Sequence, residues 1–243
     1  AAILAARRNK KTIGQAEFEE ALEKVALGPE RRSRLITEKE KMIVAYHEAG
    51  HAIVASILPH LDPVHKLSIV QRGFGALGYT LQLPTEDRYL MTRSDLVSQL
   101  SVLLAGRTAE EIALSEVSTG AQNDLQRATE IARAMVTEFG MSEALGVVNY
   151  EGSRRPRFLD MPMFPERGFY GEETAQAIDA EIKRLLTEAL EAARAVLTEH
   201  RDTLERVTAR LLDIEVMEGD ELRRLLGVDQ PVAPAGQGAD RAT

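Results

Sequence analysis

The sequence predicts a mainly α-helical fold with one small β-hairpin. Apolar residues recur at helical spacing along most of the chain, as in Leu96, Leu100, Leu103 and Leu104. Strict apolar–polar alternation occurs once, in ALGYTLQLP (76–84), where Leu77, Tyr79, Leu81 and Leu83 alternate with Gly78, Thr80 and Gln82. Aromatic residues make up only 5% of the chain and Trp is absent, so aliphatic side chains must fill the core.

The elements follow in order. Residues 1–27 read as two short helices broken at Thr12–Gly14, the second with Phe18, Leu22 and Val25 at helical spacing. GPERRSR, within a segment set at 28–35, carries Gly-Pro and charge and reads as a linker. A helix over about 38–58 follows, ended by Pro59. KLSIV (66–70) and ALGYTLQLP flank a Gly-containing loop and make the hairpin. From Thr92 the chain reads as helical to its end apart from loops, with Asp95 placed to cap back to Thr92. STGAQ (118–122) breaks one helix before the next, and 152–171 is a Pro-, Gly- and Arg-rich loop. Helices are then expected over about 172–199, 201–213 and 219–226, with residues 229–243 a disordered tail. The main folded unit is thus expected over 36–228.

Composition narrows the function. A net charge of −8 argues against nucleic acid as a partner. With no cysteine, any metal must be held by His and carboxylate. No run approaches the roughly 18–20 apolar residues of a membrane span. The abrupt apolar start, AAILAARRNKK, suggests a piece of a longer protein.

One stretch carries the chemistry. IVAYHEAGHAIVASIL (43–58) is apolar nearly all round, yet holds His47, Glu48 and His51. Residues i and i+4 share a helix face, so both imidazoles can aim at one point, as two ligands of Zn²⁺ require. Glu48 lies about 100° round the helix, wrong for a ligand on that face but able to reach a water on the metal. H-E-x-x-H on a helix is a metalloprotease signature. Two buried imidazoles would otherwise each need a separate partner. Gly50, between them, either is merely tolerated or lets another backbone pass close. For a third ligand, position 57 is Ile, and His60, His65 and His200 read as surface residues. That leaves Glu110 and Glu111 in GRTAEEIA, or Asp124, which begins a stripe with Ala128, Ile131 and Met135. Spacing leaves the choice between them open.

YHEAGHA (46–52), DPVHKLSIV (62–70), ALGYTLQLP (76–84), AGRTAEE (105–111) and STGAQNDLQRAT (118–129) together resemble the peptidase domain of the FtsH family of AAA-type ATP-dependent zinc proteases. The resemblance covers roughly residues 1–227. It implies one zinc per chain on His47, His51 and Asp124, with Glu48 as catalytic base, and leaves Glu110 and Glu111 as outer-sphere or structural residues. It also implies a helical zinc-peptidase domain, a homohexamer, and unfolded, damaged or membrane proteins as substrates. In that family the peptide is aligned on an edge strand beside the zinc, which here would be Gly78, Tyr79, Thr80 and Leu81. Full-length members are anchored in the bacterial inner membrane with both enzymatic modules on its cytoplasmic side. Residues 1–27 resemble the closing helices of the ATPase module, and no G-x-x-x-x-G-K-[ST] loop is present, so ATPase activity is not expected from this chain, ATP acting only through the missing module. Membrane contact would likewise come only through missing N-terminal segments, leaving this piece soluble.

Two other readings compete with a zinc endopeptidase. One is a helical assembly module with a purely structural metal, which would need four protein ligands; only three credible ones are found. The other is a non-haem iron oxygenase, whose two His and one carboxylate would match. Glu48 beside the first ligand fits a hydrolase better.

Overall fold

The computed structural model describes residues 1–26, 28, 37–71, 77–84, 88–151 and 170–228. The expected linker (apart from Gly28), the hairpin loop at 72–76, most of the long loop 152–171 and the tail lie outside the described residues. Two short helices, α1 (Ala2–Arg7) and α2 (Gln15–Ala26), come first. The Phe18–Leu22–Val25 stripe of α2 is exposed, whereas the fully buried side chain of that helix is Glu17, which pairs with Arg8 and Lys10.

Helix α3 (Glu38–Ile57) starts at a capping box in which the Thr37 hydroxyl accepts from the Glu40 amide and the Glu40 carboxylate accepts from the Thr37 amide. Helix α4 (Arg93–Leu114) starts the same way, on Thr92 and Asp95, as expected. Such reciprocal caps satisfy otherwise orphaned amides and fix where a helix begins. A 3₁₀ turn (Thr119–Ala121) leads into α5 (Gln122–Thr137); α6 (Glu172–Glu199), α7 (Arg201–Ile214) and α8 (Gly219–Leu226) follow close to the expected bounds.

The hairpin forms as β1 (Val64–Ser68) and β2 (Tyr79–Gln82), antiparallel. The expectation of helix and loop alone after Thr92 is corrected here. A third strand, β3 (Val216–Glu218), pairs with β1 and makes a three-stranded sheet of order β2–β1–β3. Three residues carry no readable alternation; β3 exists because β1 offers it an edge. Strand β2 consequently stands at one edge of the sheet.

Helix α4 divides the interior. On one side, Val102, Ala105 and Ala109 pack with α3, β1, α7 and α8 around Ile53, Leu67, Leu204, Leu211, Met217 and Leu222. On the other, Leu96, Leu100, Leu103 and Leu104 pack with α5 and α6 around Met135, Ile178 and Leu185. Burying such side chains is worth roughly 1.5–3 kcal/mol each. The α3–α4 crossing is close enough to decide the question raised by Gly50. A Cβ there would lie 2.6 Å from Ala109 Cβ and 2.7 Å from the Ala105 carbonyl oxygen. No described helix is long and apolar enough to cross a membrane.

Candidate metal centre

His47 and His51 lie mid-way along α3, both buried, with ring centroids 4.6 Å apart at 79°. Their inner nitrogens are occupied. His47 Nδ1 bonds Glu110 Oε1 at 2.6 Å, and His51 Nδ1 bonds the Val102 carbonyl oxygen at 2.7 Å. A carbonyl can only accept, so Nδ1 of His51 carries a hydrogen and Nε2 keeps a lone pair when the ring is neutral. Glu110 fixes His47 the same way.

The two Nε2 atoms then face each other at 3.0 Å, with Asp124 Oδ2 at 3.2 Å from His47 Nε2 and 3.5 Å from His51 Nε2. With both rings neutral, three acceptors converge with no hydrogen among them, so the arrangement calls for a positive charge, which either a proton on His47 or a metal ion can supply. Atoms bound 2.0–2.1 Å from one tetrahedral centre lie about 3.3 Å apart, and the three observed separations bracket that value. Among the described residues, His47, His51 and Asp124 are the group that could hold a metal ion. Asp124 reaches the site from the first turn of α5, where the helix N-terminus also favours a negative charge.

Position separates Asp124 from the Glu pair. Glu110 is buried, spending one oxygen on His47 and accepting from the Ser118 amide with the other at 2.7 Å. Glu111 points outward and pairs with Arg194 at 2.9 Å. Neither joins the three converging atoms. Of the remaining histidines, His60 is exposed, while His65 and His200 are half-buried and outside the cluster.

Glycine at position 106 is what lets the imidazoles lie against α4. A Cβ there would stand 2.5 Å from His51 Nε2 and 2.6 Å from His47 Nε2. Any side chain would occupy the space of the two Nε2 atoms. Sequence reasoning missed this residue and the Val102 carbonyl, because both depend on which α4 face meets α3.

The charges fit the same picture. Burial lowers the proton affinity of His47, but Asp124, Glu110 and Glu48 outweigh it and push the imidazole up to about 10. Burial raises Asp124, yet His47 and His51 hold its carboxyl well below the ordinary range. Burial pushes the Glu48 carboxyl up, against the pull of His51, His47 and Thr80. Glu48 lies beside the cluster rather than in it, its Oε2 accepting from Thr80 Oγ1 at 2.9 Å.

A prediction follows with a definite sign. An imidazole whose pKa is raised to about 10 holds a proton near pH 8, and a metal must displace it to use the lone pair. Zinc binding near pH 8 should therefore release about one proton from His47, falling toward zero above about pH 10. Calorimetry in buffers of differing ionisation enthalpy measures this; binding heats independent of buffer near pH 8 would contradict it.

With this geometry in place, the comparison with known sequences is specific. The sequence profile described as Peptidase family M41 matches residues 34–225. The chain belongs to peptidase family M41. It is 50% identical over 229 residues to "ATP-dependent zinc metalloprotease FtsH 3" of Petrotoga mobilis, covering 94% of this chain and 35% of that protein. The identity is 52% over 224 residues with "ATP-dependent zinc metalloprotease FtsH" of Syntrophobacter fumaroxidans, covering 92% and 35%. With the protein of that name from Thermotoga maritima it is 48% over 226 residues, covering 93% and 37%. The chain thus spans little more than a third of the length of these relatives. The M41 match takes in the entire cluster and excludes α1 and α2.

Proposed function

We propose that this M41 domain is the zinc-dependent endopeptidase module of an ATP-dependent protease. The observation that carries the reading is the convergence of His47 Nε2, His51 Nε2 and Asp124 Oδ2, with Glu48 beside them and outside the ligand set. Zinc held by those three residues would supply Lewis acidity, toward a water molecule and toward the scissile carbonyl. Glu48 would take the proton of the attacking water on its carboxylate and return it to the leaving amine. Its burial supports the role, since a carboxyl pushed up is a stronger base than an exposed one. Three protein ligands and a spare base leave one position open, which disfavours a purely structural metal.

The peptide is proposed to lie along the edge strand β2 and the residue before it, at Gly78, Tyr79, Thr80 and Leu81. Backbone pairing gives affinity without demanding a particular side-chain sequence. The position of β2 at the sheet edge, beside Glu48, supports this. Unfolded, damaged or membrane proteins would be the substrates, delivered by an ATPase module to which α1 and α2 would belong. The whole protein is proposed to be a homohexamer anchored in the bacterial inner membrane, with this domain on the cytoplasmic side. Names borne by relatives 48–52% identical support the ATP and zinc dependence.

The test is metal removal and return. Chelator-treated chain should cleave no unfolded peptide and regain cleavage with one equivalent of zinc. Cleavage that persists without metal, or zinc that binds without restoring it, would refute the reading.

A further inference from the structure

Strand β2 and the residue just before it touch Glu48 on two sides. Thr80 Oγ1 lies 2.9 Å from Glu48 Oε2 and 3.2 Å from the Glu48 backbone oxygen. Two residues earlier, just before β2 begins, Gly78 presents bare backbone: a Cβ there would stand 2.7 Å from Glu48 Cγ and 2.8 Å from Oε1. One carboxylate oxygen is thus backed by glycine, and the other accepts a hydroxyl hydrogen. Among the described residues no other group donates to this buried carboxylate. Both acceptors within reach of the Thr80 hydroxyl belong to Glu48, so its single hydrogen is committed to that residue. A glutamate has three side-chain torsions, and a group that must meet a proton in one place needs them fixed.

We propose that Thr80 is a positioning residue for Glu48, its hydroxyl fixing the direction in which the carboxylate faces. Gly78 makes the approach possible by leaving room for the Glu48 side chain. The stretch assigned above to substrate would then do two separate things: its backbone edge would meet the peptide, and Gly78 and Thr80 aim the base. The inference rests on the reading of Glu48 as the base, and the experiment separates the two.

The steady-state kcat and KM of this chain for an unfolded peptide are measured for Thr80→Val, Thr80→Ser, Glu48→Gln and the double variant Thr80→Val/Glu48→Gln. Zinc content and circular dichroism accompany each. Val keeps the shape and strand preference of Thr and removes only the donor. Thr80→Val should lower kcat about 10–100-fold with KM, zinc and melting unchanged, since misplacing a catalytic group by about 1 Å costs up to that much. Thr80→Ser should restore most of kcat, and Thr80→Val should add nothing in the Glu48→Gln background. Parent kcat in Thr80→Val, with Glu48→Gln inactive, overturns the positioning role and leaves the base reading standing. Full activity in Glu48→Gln overturns the base reading itself. A raised KM at constant kcat in Thr80→Val assigns the side chain to peptide binding instead, and loss of zinc or fold makes the bond structural; either result overturns the proposal.

Discussion

Glu48→Gln should keep its zinc and lose peptide cleavage by about 10²–10⁴-fold, the range typical for removal of a general base. Gln preserves the volume of Glu and can still accept the Thr80 hydrogen through its amide oxygen, so the local packing survives. What disappears is a group that can hold a proton. The substitution also removes a negative charge next to His47, whose raised proton affinity owes part of its size to Glu48. The Gln variant should therefore bind zinc at least as readily at low pH, where proton competition matters most. Parent-rate cleavage in a zinc-replete Glu48→Gln protein would remove Glu48 from the chemistry.

The second large effect concerns Asp124. It stands 77 residues from His47 in sequence, on α5, and it meets the imidazoles only once α3, α4 and α5 have packed. Asp124→Ala leaves two nitrogens and should abolish both stable zinc binding and cleavage. Glu110→Gln should weaken zinc by about 10–100-fold, the usual cost of losing a partner that orients a ligand. The loss in Asp124→Ala should exceed that figure when both are titrated against a competing chelator. Because metal binding draws on residues from separate helices, removing zinc should also lower the melting temperature of the parent. Zinc retained in Asp124→Ala but lost in Glu110→Gln would reverse the two assignments.

Much of this was readable in the residues themselves. Helix starts at Thr37 and Thr92 are written as S/T-x-x-E/D, and the helix ends fall within a residue or two of the hydrophobic period. The histidine pair was legible because i and i+4 on one helix is a local relation. What the sequence could not settle was nonlocal. Asp124 and Glu110 both carry the chemistry of a ligand, and only the way α4 and α5 cross α3 decides which oxygen reaches the Nε2 atoms. The strand β3 owes its existence to the edge of β1. The Phe18–Leu22–Val25 stripe has a helical period yet is exposed among the described residues, Val25 at 84%. The Thr80–Glu48 bond depends on how the hairpin sits on α3, and a period-2 pattern says nothing of that.

The central claim is that one zinc ion is held by His47, His51 and Asp124, with Glu48 left free. Anomalous diffraction recorded on either side of the zinc absorption edge from crystals of the zinc-loaded chain tests it most directly. One peak per chain is expected, within about 2.0–2.2 Å of His47 Nε2, His51 Nε2 and an Asp124 carboxylate oxygen. A peak coordinated by Glu48 or Glu110, or one placed away from the α3–α4–α5 junction, would contradict the account.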